Sequence, residues 1–387
     1  MATLTLFFNS DSDIYLTHVG MAHGLDRIHT EPRMHVLTEL SRESAFFYNR
    51  YAYTYFDVDN SYLMAFERYH GDTMCINGPG SGYFLSDAKF IDPSSSLKLS
   101  DEQFNKHWTR NTRRTLDLIL GKPPQVEDLP VDEAKMFGEY PNDWVINNFD
   151  LAAKVNPARA LPSFDAINLV GWGRGAVSCH MLANHLSDSS LASLPINILA
   201  IDPIIGGAVS PALVHTTLGA NVQEYVGFYA RDERSASLPC IVPNTASNTR
   251  IHIYPIAGRH TTLIGNQAAD GDSKPGTFSE PADLIYYLAR KCLNRWNPSL
   301  RFPDASYPDL SVNGDQVLAK IKSEYDNYIN MRNTTYSHQS QEVHGEREIL
   351  LDGQLTNFKS AQGTRFTPNQ GLAKGHIEEM SYFQDIT

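Results

Sequence analysis

The chain has 387 residues, 42% hydrophobic and 20% charged, which is enough to bury a full core as one large or two ordinary domains. A formal net charge of −12 argues against a nucleic-acid binder, whose footprint is basic, but leaves room for an anionic or lipid substrate held locally by arginine and lysine. No run approaches about 18 uninterrupted apolar residues, so no transmembrane span is expected. The start, MATLTLFFNSDSD, has neither the basic region nor the long apolar run of a secretory leader, so synthesis in a cytoplasm is expected. The four cysteines, Cys75, Cys179, Cys240 and Cys292, are far apart in sequence and read as reduced thiols.

Strand-like and helix-like segments alternate along the chain, which predicts an α/β fold around a mainly parallel sheet. TLTLFFN at 3–9 reads as the first strand. DTMCINGPGSGYF at 72–84 reads as a strand that runs into a loop with three glycines. Residues 100–121 carry a serine cap, helical apolar spacing and a closing glycine. Residues 143–155 read as helix, followed by a strand at 166–170, a glycine turn, a helix at 176–186 and a strand at 196–202. Strands are expected again at 224–230 and from 250 towards 260, and helices at 280–296 and 314–332. The rest, 334–387, is polar with few apolar anchors and reads as peripheral. The domain expectation is a core over 1–296 with helical insertions at about 10–70 and 85–165, and a helical and irregular C-terminal extension over 297–387.

The turn INLVGWGRGA, 167–176, fits two active-site layouts. As Gly171-x-Gly173-x-x-Ala176 it matches a dinucleotide fingerprint, with Asp202 ending the next strand as a ribose-binding acid. Bulky Trp172 and Arg174 line that turn, the acid lies farther on than the usual distance of about 20 residues, and the neighbouring motifs have no role in this reading. As Gly171-Trp172-Gly173-Arg174-Gly175 it matches a G-x-S-x-G nucleophile elbow with Gly173 in the serine's place. An elbow holds its central residue in a backbone conformation that costs a side-chain-bearing residue about 1–3 kcal/mol and glycine little, so a glycine there keeps the fold and deletes the chemistry.

Downstream, Asp202 in AIDPIIG ends the strand after the elbow helix, Asp232 in YARDERSASLP ends the next, and His260 lies in YPIAGRH. This is the chain order nucleophile, acid, histidine. Upstream, Asn77 to Gly82 follows an early strand, where oxyanion-binding N–H groups are supplied. GWGRGA, AIDPIIG, YARDERSASLP and YPIAGRH resemble the landmarks of the α/β-hydrolase domain of type VI secretion lipase effectors and related uncharacterised bacterial proteins, over roughly residues 3–296. The elbow of that family reads G-[FW]-S-R-G-A, and the departures here are Gly173 for serine and GRHTTLIGN in place of a glycine-rich histidine loop.

The resemblance implies a serine esterase or phospholipase acting on a lipid or other acyl ester without metal or cofactor, with peripheral membrane contact left open. It implies His260 as base, Asp202 or alternatively Asp232 as acid, and N–H groups near Gly78, Pro79, Gly80 and Arg174 around the oxyanion. Arg174 reads equally as a surface residue or a contact to a substrate phosphate. With Gly173 the chain is expected to be inactive, whether the glycine is engineered or natural. Ser178 and Cys179 lie too far along the helix to stand in. A non-catalytic binding protein that keeps the cleft is the alternative from another class, and a nicotinamide-dependent oxidoreductase is the third. His180, His185 and His252 read as structural, and the early histidines lack metal-site spacing. The end, GHIEEMSYFQDIT, is similar to glutamate-bearing export signals but fits an ordinary exposed end better; export by a specialised secretion system is what the similarity implies.

Overall fold

The computed structural model describes residues 3–8, 73–76, short helical stretches between 108 and 120, and then 164–206, 210–235, 238–260, 262–264, 280–298, 313–332, 347–357 and 377–387. Its centre is a six-stranded parallel sheet in the order β2-β1-β3-β4-β6-β9. The strands are β1 (Thr3–Phe8), β2 (Thr73–Ile76), β3 (Ala166–Trp172), β4 (Ile196–Ile201), β6 (Val222–Ala230) and β9 (Arg250–Ile256). These segments read as near-continuous apolar runs because a parallel strand is covered on both faces. The order reverses between β1 and β3, so the crevice at the carboxyl ends opens beside β3.

Alternation along the strands sorts the core into two layers. Ile167, Leu169, Ile198, Ala200, Tyr225 and Ile253 pack with α1 (Arg174–Ser187) on one face. Val170, Leu199, Ile201, Val226, Phe228 and Tyr254 pack with α3 (Glu280–Trp296) on the other. Helices therefore cover both faces, and the expected α/β class with a mainly parallel sheet is what the chain adopts. Minor elements are α2 (Leu213–Thr216), β5 (Thr217–Leu218), β7 (Cys240–Val242) and β8 (Asn244–Thr245).

Gly171 is where β3 and α1 meet most closely. A Cβ there would lie 2.4 Å from the Gly175 carbonyl carbon and 2.5 Å from the Ala176 nitrogen, both backbone atoms that cannot swing aside. Gly171→Ala is accordingly expected to cost about 3 kcal/mol or more in a urea melt, and a loss under 1 kcal/mol would contradict this packing.

The expected helix over 314–332 is two helices, α4 (Gly314–Ser323) and α5 (Tyr325–Met331), broken at Glu324, whose φ of −108° and ψ of 13° leave the helical region. The expected extension 297–387 sends residues from each of its described stretches beyond 312 into the core. Leu318, Ile321, Tyr328, Met331, Ile377, Phe383 and Ile386 join the α3 layer. β10 (Glu348–Leu351) pairs parallel with β7 and antiparallel with β11 (Gln354–Asn357), burying Ile349. The helix expected over 143–155 and most of the expected insertions lie outside the described residues.

The amino-terminal edge of the sheet is tied by one buried carboxylate. Glu224 of β6 accepts from both Arg295 terminal nitrogens at 3.1 and 2.6 Å, from Arg250 at 2.7 Å and from the Trp296 indole at 3.0 Å, and His252 lies 3.2 Å away. Burial opposes its ionisation, but hydrogen bonds from His252, Arg295 and Trp296 outweigh that and bring its pKa from 4.5 down to about 2. Because the folded pKa is depressed, the stabilisation is complete above pH 4.5 and fades as pH falls towards 2. Urea unfolding compared at pH 7 and pH 3 should show Glu224→Gln flattening this acid limb.

Candidate functional site

All strands of the sheet run the same way, so the residues that follow β3, β4, β6 and β9 gather at its carboxyl edge. These are Gly173, Asp202, Asp232 and His260. Gly173 sits at the centre of the elbow with φ 57° and ψ −123°, a region where a Cβ is strained. Its N–H donates to the Ile201 carbonyl at 2.9 Å and its carbonyl accepts from the Ile204 N–H at 3.3 Å. The elbow is thus pinned on both sides of Asp202, and α1 points its positive N-terminal end into the turn.

Asp202 is fully buried and sits at φ 41°, just before Pro203, a pairing of conformation and sequence that an unstrained chain avoids. Its Oδ1 accepts from the Ala230 N–H at 2.9 Å, while Oδ2 accepts from His260 Nδ1 at 2.7 Å. A carboxylate can only accept here, so Nδ1 carries the proton and Nε2 is left as the imidazole's basic nitrogen.

His260 is held at every other point as well. Its backbone N–H donates to Glu233 Oε2 at 3.1 Å, and its carbonyl accepts from the Trp172 indole at 3.3 Å. The imidazole stacks on the Trp172 ring with centroids 4.5 Å apart and planes 21° from parallel. Trp172 is the residue before Gly173, so elbow, aspartate and histidine close into one ring of contacts.

Asp232 does not reach His260. It accepts from the Gly258 N–H at 2.8 Å and from Arg332 Nε at 2.6 Å, which makes it a brace for the histidine loop. Glu233 braces the same loop: Arg259, fully buried, reaches it at 3.0 Å, and the Arg234 and Ser235 N–H groups donate to it at 2.8 Å. Burial opposes its charge, but Arg259, Arg347 and these hydrogen bonds prevail and bring its pKa to about 2.

Arg174 is buried and turns along the loop after β4, its Nε donating to the Ile205 carbonyl at 2.8 Å and its guanidinium lying against Gly206. Ser178 donates to the Arg174 carbonyl and accepts from the Trp108 indole, and Cys179 donates to the Gly175 carbonyl. Both are buried inside the helix layer, and burial pushes the Cys179 thiol well up, so neither offers a nucleophile at the turn. His180 and His252 sit in structural hydrogen bonds and ion pairs, as expected from their positions. Gly78, Pro79 and Gly80 lie outside the described residues.

Sequence reasoning missed Arg347. It arrives from the residue before β10, is almost fully buried, and places Nη2 3.1 Å from Asp202 Oδ2 and 2.7 Å from the Leu238 carbonyl. No local pattern in HGEREILL marks it. The stack of Trp172 on His260 was likewise not read from the motif. Among the described residues no group of three or more His, Cys, Asp or Glu side chains could hold a metal ion, and no helix is long and apolar enough to cross a membrane.

No family model and no curated protein matches the chain. Among solved structures, an uncharacterized protein from Pseudomonas aeruginosa is similar with a TM-score of 0.45 at 10% identity, over 85% of this chain and 50% of that one. The Tle1 effector bound to the VgrG spike from the type 6 secretion system is similar with a TM-score of 0.26 at 11% identity, over 67% of this chain and 50% of that one. The chain spans about half the length of the solved structures it matches. The α/β fold itself stands on the strand order and on the helices that cover both faces of the sheet.

Proposed function

We propose that this chain carries the acid–base half of a serine-hydrolase site of the α/β-hydrolase type, with Gly173 standing where the nucleophile belongs. The observation that carries the reading is the buried His260–Asp202 pair, 2.7 Å apart, locked beside the elbow by the Trp172 stack. In a competent site the residue at 173 attacks an ester carbonyl, Nε2 of His260 takes its proton and returns it to the leaving alcohol, and Asp202 holds the imidazole in that tautomer. N–H groups at the start of α1 and near Gly78–Gly80 bind the oxyanion. The substrate class is a lipid or other acyl ester, no cofactor is required, and contact with a membrane is peripheral.

As it stands the chain binds without turnover, because glycine has no oxygen to lend. The dinucleotide reading requires Asp202 to face a nucleotide groove, and its hydrogen bonds to Ala230, His260 and Arg347 speak for the hydrolase reading instead. A role as an exported bacterial effector rests on the sequence resemblance, and detection of the full chain outside the producing cell, dependent on a dedicated secretion system, tests it. The catalytic test is hydrolysis of short nitrophenyl esters and mixed phospholipid vesicles by the Gly173→Ser protein, with His260→Ala added as control. Activity that appears with serine and disappears with alanine supports the proposal; a folded, inactive serine variant favours a binding protein that keeps the cleft.

A further inference from the structure

We propose that Arg347 is a positioning residue for the His260–Asp202 pair, supplied by the C-terminal segment, so that residues beyond the sheet complete the site. This rests on the hydrolase reading of the pair. Three contacts converge on the Asp202 carboxylate: the Ala230 N–H on Oδ1, and His260 Nδ1 and Arg347 Nη2 together on Oδ2. A single backbone bond to Oδ1 restrains rotation of the carboxylate about Cβ–Cγ only loosely. Arg347 stiffens it from the other oxygen, because its Nη2 is itself anchored on the Leu238 carbonyl at 2.7 Å.

The anchor is rigid for two reasons. The guanidinium is planar and almost fully buried, and the backbone that carries it is locked by the parallel pairing of β10 with β7, Ile349 opposite Cys240. Leu238 and β7 belong to the loop region that also holds Glu233 and Asp232, so one strand pairing ties the acid's partner to the histidine loop's braces. Arg332 of the same C-terminal segment does the equivalent for Asp232, at 2.6 Å. Two arginines from beyond residue 297 therefore enter the two aspartates at the carboxyl edge.

A lysine reproduces this only in part. Both contacts come from the one nitrogen Nη2, and a lysine ammonium lacks the rigid planar guanidinium that fixes where that nitrogen sits. Arg347→Gln removes the charge and the fork together.

The test reads the His260 Nδ1 proton directly by low-field ¹H NMR of the chain as it stands, assigned by its loss in His260→Gln. This readout needs no activity, so it separates failure of this inference from failure of the hydrolase reading. Arg347→Gln is expected to lose or strongly displace the resonance, and Arg347→Lys to displace it less. Should the glutamine variant not fold, the lysine variant decides. In the Gly173→Ser background, Arg347→Lys is expected to lower kcat on the order of tenfold with KM within about twofold, since positioning acts on the proton transfer and not on substrate binding. A resonance unchanged in every variant that folds overturns the proposal and leaves Arg347 a purely structural cation.

Discussion

Gly173→Ser is expected to raise ester hydrolysis from background by at least about 10³-fold while lowering stability by about 1–3 kcal/mol. The two effects have separate causes. The gain comes from an oxygen placed at the elbow beside a histidine that is already held at its ring face, its Nδ1, its N–H and its carbonyl. The loss comes from the backbone: φ 57° and ψ −123° suit glycine, and a serine must adopt them against its own Cβ. Nitrophenyl ester rates and urea melts on the same two proteins measure both. A serine variant that becomes more stable would mean the turn relaxes to ordinary angles, and it should then also be inactive.

Asp202→Asn in that serine background is expected to cut kcat on the order of 10⁴-fold, by the logic of an orienting acid replaced by its amide. The hydrogen-bond inventory shows why. Both carboxylate oxygens accept, Oδ1 from Ala230 and Oδ2 from His260 and Arg347. An amide has one acceptor and one donor, so either orientation sets an NH₂ group against another N–H. The imidazole then turns or changes tautomer, and Nε2 is no longer a base. The same change leaves Arg347 buried beside a neutral group, which should lower stability by about 3–5 kcal/mol in the unmodified chain. Asp232→Asn is the comparison. It sits in contact with Arg332 and the Gly258 N–H, so it should disturb stability and the loop while leaving more activity than the Asp202 variant. The reverse ranking would transfer the acid's role to Asp232.

Two buried carboxylates make the chain acid-sensitive for structural reasons. Glu224 and Glu233 both ionise down to about pH 2 in the folded protein. They sit at opposite edges of the sheet, one tying α3 to β6 and the other tying the histidine loop to Arg259. Acid should therefore loosen the site and the sheet base within the same pH window, below 4.5.

Features that depend on neighbours in the chain were legible in the amino-acid sequence. Apolar runs named β3, β4, β6 and β9 within a few residues, because a strand covered on both faces leaves a continuous apolar record. The helix over 280–296 was legible from its spacing. The order Gly173, Asp202, Asp232, His260 was equally readable, because a parallel sheet delivers each strand's end to one edge. Tertiary structure decided the rest. Which aspartate meets His260 depends on how far each loop runs after its strand: Asp202 follows β4 at once, whereas Asp232 is captured by Gly258 and Arg332. The helix over 314–332 breaks at Glu324 although its apolar spacing continues across. The polar stretch after 334 looked peripheral because its anchors, Ile349, Ile377, Phe383 and Ile386, are too sparse to show a period. They are buried only because β10 pairs with β7 and the last residues reach α3. Arg347 comes with them, since a charge that partners a carboxylate far away in sequence leaves no local pattern, and only the long-range strand pairing puts the two within 3.1 Å.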